Sequence, residues 1–215
     1  MITVDLDEGR RTTAIRYDPP DVRASSARVV LAHGAGAGQH HPFIVNVARR
    51  LAAGGVETVT FNFPYMQEKR RAPDRTEALE HCFSRVIDHV HGEDVRTLVI
   101  GGKSMGGRIA THLAAQAARI SGVFALGYPL HPPGKADQLR VAHLPRIAVP
   151  VLIVQGERDP FGTPLELKLV IAAMQSRVQL DVVAGGNHSL AVRGRSSDQL
   201  HDWLAARMIA WIDTL

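Results

Sequence analysis

The chain has 215 residues, 45% of them hydrophobic and 21% charged, with a formal net charge of +4. That length and apolar content suit one domain with a self-sufficient core, and they exclude a disordered protein. The single cysteine, Cys82, excludes a disulfide framework and any Cys-x-x-Cys redox or zinc motif.

All but four of the 25 basic residues are Arg, and they are scattered along the chain. The densest basic run, Lys69-Arg70-Arg71, is short and has no interleaved aromatics, so it reads as a solvated surface and not as a nucleic-acid site. The first residues, Met1 to Glu8, are acidic and alternating, unlike a signal peptide. No apolar run approaches the ~18 residues of a membrane helix. A soluble, cytoplasmic protein with no membrane association is expected.

Ile2, Val4 and Leu6 alternate, a turn is predicted at Asp7-Glu8-Gly9, and Thr13, Ile15 and Tyr17 alternate again. This pattern predicts an N-terminal antiparallel hairpin, ended by Asp18-Pro19-Pro20. Further on, short apolar runs alternate with helical stretches. Strands are predicted at 29–32, 56–63, 97–100, Gly122–Leu126, 151–154 and Val178–Val183. Helices are predicted at Pro42–Ala53, 75–91, 104–119, 164–174 and Ser197–Ile212. Strands of unbroken Val, Ile and Leu are covered on both faces, so a mostly parallel central sheet flanked by helices on both sides follows. The closing helix carries Leu200, Trp203, Leu204, Met208 and Trp211 on one stripe. With no repeat, linker or low-complexity stretch, residues 1–215 read as a single α/β domain.

In such a sheet the chemistry belongs where strands end and loops begin. After the strand at 97–100 comes Gly101-Gly102-Lys103-Ser104-Met105-Gly106-Gly107, so Gly102, Ser104 and Gly106 satisfy G-x-S-x-G between a strand and a helix. The turn there is so tight that a Cβ two residues to either side of the serine is obstructed. It presents Oγ at the start of a helix, where free amides favour negative charge. Gly102-Lys103-Ser104 also matches the end of a phosphate-binding loop, but that motif's first glycine position is Thr97, inside a strand.

The first parallel strand runs into His33-Gly34-Ala35-Gly36-Ala37-Gly38. A dinucleotide fingerprint fails, because Gln39 stands where its third glycine belongs. The loop reads instead as one side of an oxyanion hole, built from the amides of Met105 and Ala35, with Gly36 as the alternative second donor. His33 is expected to brace this loop. The strand at 151–154 is followed by Glu157-Arg158-Asp159 and the next strand by Asn187-His188. Ser104, Asp159 and His188 thus appear in the order serine, acid, histidine that marks α/β-hydrolases. His188 is the candidate base and Asp159 its orienting acid, with Glu157 the rival carboxylate. The other histidines lack ligand spacing and a carboxylate set, so no metal or cofactor is expected.

These segments, together with Gly127-Tyr128-Pro129-Leu130-His131-Pro132-Pro133-Gly134-Lys135, resemble the α/β-hydrolase superfamily from about residue 28 onward. Within it they look like the dienelactone-hydrolase-like subfamily, which includes the hydrolase-like domain of a subunit of the NSL histone-acetyltransferase complex. The resemblance implies a Ser-Asp-His hydrolase fold with the roles just given. A lid is usually inserted after the strand corresponding to Gly122–Leu126. Here Pro129, Pro132, Pro133, Pro145 and Pro150 make that connection stiff and extended, so no lid domain is expected.

The expected site is therefore open and shallow, flanked by Tyr65, Met66, Tyr128 and Phe161. Arg70 and Arg71 are the sequence's candidates for drawing in an anionic substrate. The function that follows is hydrolysis of a small-molecule carboxylic ester or thioester through an acyl-enzyme. The alternatives are a catalytically silent scaffold of the same fold and an amide or peptide hydrolase with the same machinery. The acyl group, the alcohol and the oligomeric state are not legible at this level.

Overall fold

The computed structural model describes residues 1–7, 9–20, 27–92, 95–116 and 118–215. Its eight strands are β1 (Ile2–Asp5), β2 (Arg11–Tyr17), β3 (Ala27–Ala32), β4 (Glu57–Phe61), β5 (Thr97–Lys103), β6 (Gly122–Leu126), β7 (Val151–Gly156) and β8 (Val178–Val183). They form one sheet in the order β1-β2-β4-β3-β5-β6-β7-β8. β1 and β2 pair antiparallel, as do β2 and β4, and every other neighbour is parallel. The N-terminal hairpin is present as read, although the centre of its expected turn, Glu8, lies outside the described residues.

The described residues form the α-helices α1 (Pro42–Ala53), α2 (Pro64–Gln67), α3 (Thr76–Val90), α4 (Met105–Ala114), α5 (Pro164–Ile171) and α6 (Ser197–Ile212). Alternate residues of a strand feed two separate cores. Val30 and Ala32 of β3 and Leu98 and Ile100 of β5 pack with α3 and α4. Val29 and Leu31 of β3 and Val99 of β5 pack with α1 and α6. Two covered faces are the reason these strands read as continuous apolar runs. Each Val, Leu or Ile among them contributes about 1.5–3 kcal/mol when fully buried. The α6 stripe is Leu200, Leu204, Met208 and Trp211, with Trp203 at its half-buried margin.

Local signals fix the helix starts. Thr163 and Glu166 form a capping box at α5, as do Ser196 and Gln199 at α6. Pro42 opens α1 behind His41, whose ring nitrogen accepts from the Phe43 amide at 3.2 Å. Strand β4 is shorter than expected, because the Phe63 amide turns to His33 and Pro64 starts α2, a helix the sequence reading missed. Strands β5 and β7 run further than expected, since Gly101, Gly102, Gln155 and Gly156 still pair with their neighbours. Helices α4 and α5 stop sooner, at Ala114 and Ile171. Between β6 and β7 lie only turns and a single 3-10 turn at Leu144–Arg146, so no lid domain covers the sheet. Among the described residues, no helix is long and apolar enough to cross a membrane.

Candidate active site

Ser104 caps α4 at the end of β5 with φ 49° and ψ −113°, a conformation a side chain rarely adopts. Its amide is tied to the Leu126 carbonyl at 3.0 Å, and its carbonyl accepts from Arg108 N–H at 3.0 Å. The flanking glycines are sterically required. A Cβ on Gly102 would run into the carbonyl oxygen of Ala32, and one on Gly106 would stand 2.6 Å from that of His33. The strand, the elbow and the helix start are therefore locked into one conformation.

Asp159 follows β7 and His188 follows β8. His188 Nε2 lies 2.8 Å from Ser104 Oγ, and its Nδ1 lies 2.8 Å from Asp159 Oδ2 and 3.0 Å from Oδ1. A carboxylate offers only acceptors, so the network assigns the proton to Nδ1 and leaves Nε2 free to accept from the serine. Asp159 is 1% exposed, and its remaining lone pairs are occupied. Phe161 N–H donates to Oδ1 at 2.8 Å and Gln155 Nε2 to Oδ2 at 2.9 Å. Glu157 goes elsewhere: it accepts from the Gly185 amide at 2.7 Å and shapes the loop that leads to His188.

Two residues the sequence reading did not single out hold this arrangement. Gln155, fully buried, also donates to Gly162 O at 2.7 Å and accepts from Tyr128 N–H at 2.7 Å, so it ties the acid's turn to the end of β6. Lys103 Nζ donates to the His188 carbonyl at 2.6 Å. Burial pushes this ammonium down to about 8, with the Asp159 charge opposing. The signal for Lys103 was its place beside Ser104. For Gln155 it was a polar residue ending an otherwise apolar strand.

His33 braces its loop, as expected. Nδ1 lies 2.8 Å from Gly34 O, and Nε2 accepts from Phe63 N–H at 3.0 Å. Both nitrogens are engaged in the neutral form, and burial pushes the imidazole down to about 4. Beyond it the chain passes Ala35. The amides of Ala35 and Met105 have no acceptor among the described residues. Both residues line the cavity in front of Ser104, whereas Gly36 (φ 73°) does not.

That cavity has a volume of about 540 Å³. Its apolar wall includes Ile44, Leu79, Met105 and Phe161. Of the four aromatic and Met candidates, only Phe161 is there, its ring 4.1 Å from that of His188. Tyr65 and Tyr128 are fully buried in the core, and Met66 packs beside Gly38, outside the cavity. The large apolar rings are drawn under the sheet ends instead, where the Tyr128 hydroxyl still reaches the Arg140 carbonyl at 2.7 Å. Arg70 is also not available as expected. It is held by Glu68 and Asp74, and neither it nor Arg71 reaches the cavity.

An eight-stranded, mostly parallel sheet, a serine elbow after its central β5, and an acid and a histidine after β7 and β8 define the α/β-hydrolase class. The family model described as "Alpha/beta hydrolase domain" matches residues 25–214, and the chain belongs to that family. Solved structures agree on the fold. An alpha-beta serine hydrolase homologue from Coxiella burnetii has a TM-score of 0.76 at 20% identity, over 96% of each chain. A dienelactone hydrolase from Anabaena variabilis has a TM-score of 0.77 at 19% identity, over 97% of this chain and 95% of the other. A serine hydrolase without a lid from Xanthomonas campestris has a TM-score of 0.77 at 19% identity, over 98% and 93%.

Proposed function

We propose that the protein is a serine hydrolase that cleaves small carboxylic esters or thioesters through an acyl-enzyme. The observation that carries this reading is the continuous chain Ser104 Oγ, His188 Nε2, His188 Nδ1 and Asp159, each link 2.8 Å, at the wall of a cavity. A serine hydroxyl is a weak nucleophile until a neutral imidazole takes its proton, and the assigned tautomer leaves Nε2 ready to do so.

The reaction runs in two halves. Ser104 Oγ bonds to the carbonyl carbon while its proton passes to His188 Nε2, and the carbonyl oxygen becomes an oxyanion. The amides of Met105 and Ala35 stabilise that charge, each such donor contributing on the order of 10²–10³ in turnover. Asp159 holds the imidazolium. The intermediate then expels the alcohol or thiol, which takes the proton from Nε2. Water repeats the sequence on the acyl-serine, giving the carboxylic acid and free Ser104. No metal or redox partner enters either half.

The test is labelling with a fluorophosphonate probe beside turnover of a short p-nitrophenyl ester. The wild type is expected to be labelled and active, and Ser104→Ala to be folded, unlabelled and inactive. Equal labelling of both, or a folded wild type with neither labelling nor turnover, overturns the reading in favour of a silent scaffold.

A further inference from the structure

Two arginines stand in the wall of the Ser104 cavity. Arg108 stands in the first turn of α4, four residues after Ser104, and both line the cavity. Arg140 lies in the connection after β6, and its backbone is pinned twice. Its N–H donates to Leu130 O at 2.8 Å, and its carbonyl accepts from the Tyr128 hydroxyl at 2.7 Å. Both side chains are half-buried.

Their pairing separates them from other well-held arginines of this chain. Arg50 meets Asp198 and Asp202, Arg70 meets Glu68 and Asp74, and Arg207 meets Asp181. Among the described residues, the Arg140 side chain has no hydrogen bond or ion pair. The one side-chain hydrogen bond of Arg108 among the described residues is to an imidazole, Nη1 to His112 Nε2 at 3.5 Å. His112 turns its other nitrogen to Glu80 at 2.6 Å, so Nδ1 carries the proton and Nε2 faces Arg108 as a lone pair. An uncharged group thus steers Arg108 without neutralising it.

The remaining charges of the wall do not cancel the pair. Asp74 accepts from the Tyr65 amide at 2.8 Å and from Arg70. Asp159 lies behind His188 and outside the lining, and Lys103 adds a third cation to the wall. Burial, followed by repulsion from Arg140, weakens the hold of the Arg108 guanidinium on its proton, with Tyr128 and Glu80 opposing. A guanidinium nevertheless stays charged.

We propose that Arg108 and Arg140 form an anion subsite, so that the substrate is an ester or thioester bearing a carboxylate or phosphate a short chain away from the scissile carbonyl. This rests on the serine-hydrolase reading above and gives it a substrate class. The two half-buried guanidiniums line one cavity, repel each other and are short of acceptors among the described residues. An anion between them supplies charge-assisted hydrogen bonds, the stronger kind, and a planar carboxylate fits the guanidinium fork. The cavity is large enough to hold such a ligand beside Ser104.

The experiment compares p-nitrophenyl valerate with the mono-p-nitrophenyl esters of glutarate and of 4-phosphonobutyrate. In the wild type kcat/KM is expected to favour at least one anionic ester by ~10-fold or more, the size a charge-assisted hydrogen bond supplies. The better of the two tells carboxylate from phosphate. In Arg108→Gln and in Arg140→Gln that ratio falls toward one, and Arg108→Lys recovers part of it. A wild-type ratio at or below one, or a ratio kept in both Gln variants, overturns the subsite.

Calorimetry of free glutarate and 4-phosphonobutyrate on Ser104→Ala separates this from the parent reading. Arg108-dependent binding without ester turnover in the wild type leaves the subsite standing and removes the hydrolase. Ser104-dependent turnover with no charge preference and no anion binding does the reverse.

Discussion

His188 Nε2 stands 2.8 Å from Ser104 Oγ, although 84 positions separate the two residues and two strands lie between theirs in the sheet. Neither side chain could reach the other from the middle of its strand. Both are carried past the carboxyl edge, where the elbow and the β8 loop bend toward each other.

Asp159 and Glu157 make opposite predictions. Asp159→Asn keeps a single acceptor oxygen, so it loses the contact from either Gln155 or Phe161, and its amide donates to His188 Nδ1, which favours the wrong tautomer. Ester turnover is expected to fall by roughly 10⁴-fold, the size of that effect in a serine-protease triad. Glu157→Gln still accepts from the Gly185 amide and is expected to stay within about twofold. A larger loss in Glu157→Gln than in Asp159→Asn, read by kcat, reverses the assignment.

The backbone of Ser104 makes a prediction about stability. A residue held at φ 49° and ψ −113° stores about 1–3 kcal/mol of strain, which glycine relieves. Ser104→Gly is therefore expected to be inactive yet about 1 kcal/mol more stable than Ser104→Ala, after glycine's greater freedom in the unfolded chain is subtracted. Urea denaturation of the two variants checks this, and equal midpoints speak against a strained elbow.

The glycines beside the elbow are expected to be intolerant. Gly106→Ala places a methyl 2.6 Å from the His33 carbonyl, against backbone that cannot turn aside. A loss of about 3 kcal/mol or more is expected, at the upper end of overpacking effects. Thermal unfolding measures it, and a midpoint within a degree or two of wild type contradicts the packing described.

His33 ties stability to pH. Its imidazole titrates near 6.5 in the unfolded chain and near 4 when folded, because burial disfavours the charge. Its contribution is complete above pH 6.5 and is lost as pH falls toward 4, where the unfolded chain binds the extra proton. The shift corresponds to on the order of 3 kcal/mol across that window. His143, pushed down to about 3 by burial, acts in the same direction. Urea midpoints at pH 7, 5.5 and 4.5 are expected to decline, and less steeply in His33→Gln.

The strands and the longer helices are legible because covered faces leave apolar periodicity, and Ser104, Asp159 and His188 because each follows a strand in a diagnostic order; the four-residue α2 is too short to show a period. The ends of β5 and β7 are not legible either. Their glycines and Gln155 carry no strand preference of their own, and neighbouring strands impose the ladder. The pocket aromatics failed for a related reason. Apolarity marks Tyr65 and Tyr128 as buried, but it does not say whether burial is beneath the sheet ends or beside a ligand. Arg108 carried a usable signal, its four-residue spacing from Ser104. Arg140 carried none, since only the folded Pro-rich connection brings it to the cavity.

The serine rides on a strand with three neighbours on one side and four on the other, while the histidine hangs from the outermost one. β8 is only partly covered, and the helix before it leaves Leu165 and Leu169 to solvent. Fraying that begins at this margin would take His188 away and leave Ser104 seated, so on warming the proposed hydrolysis is expected to fail before the scaffold melts.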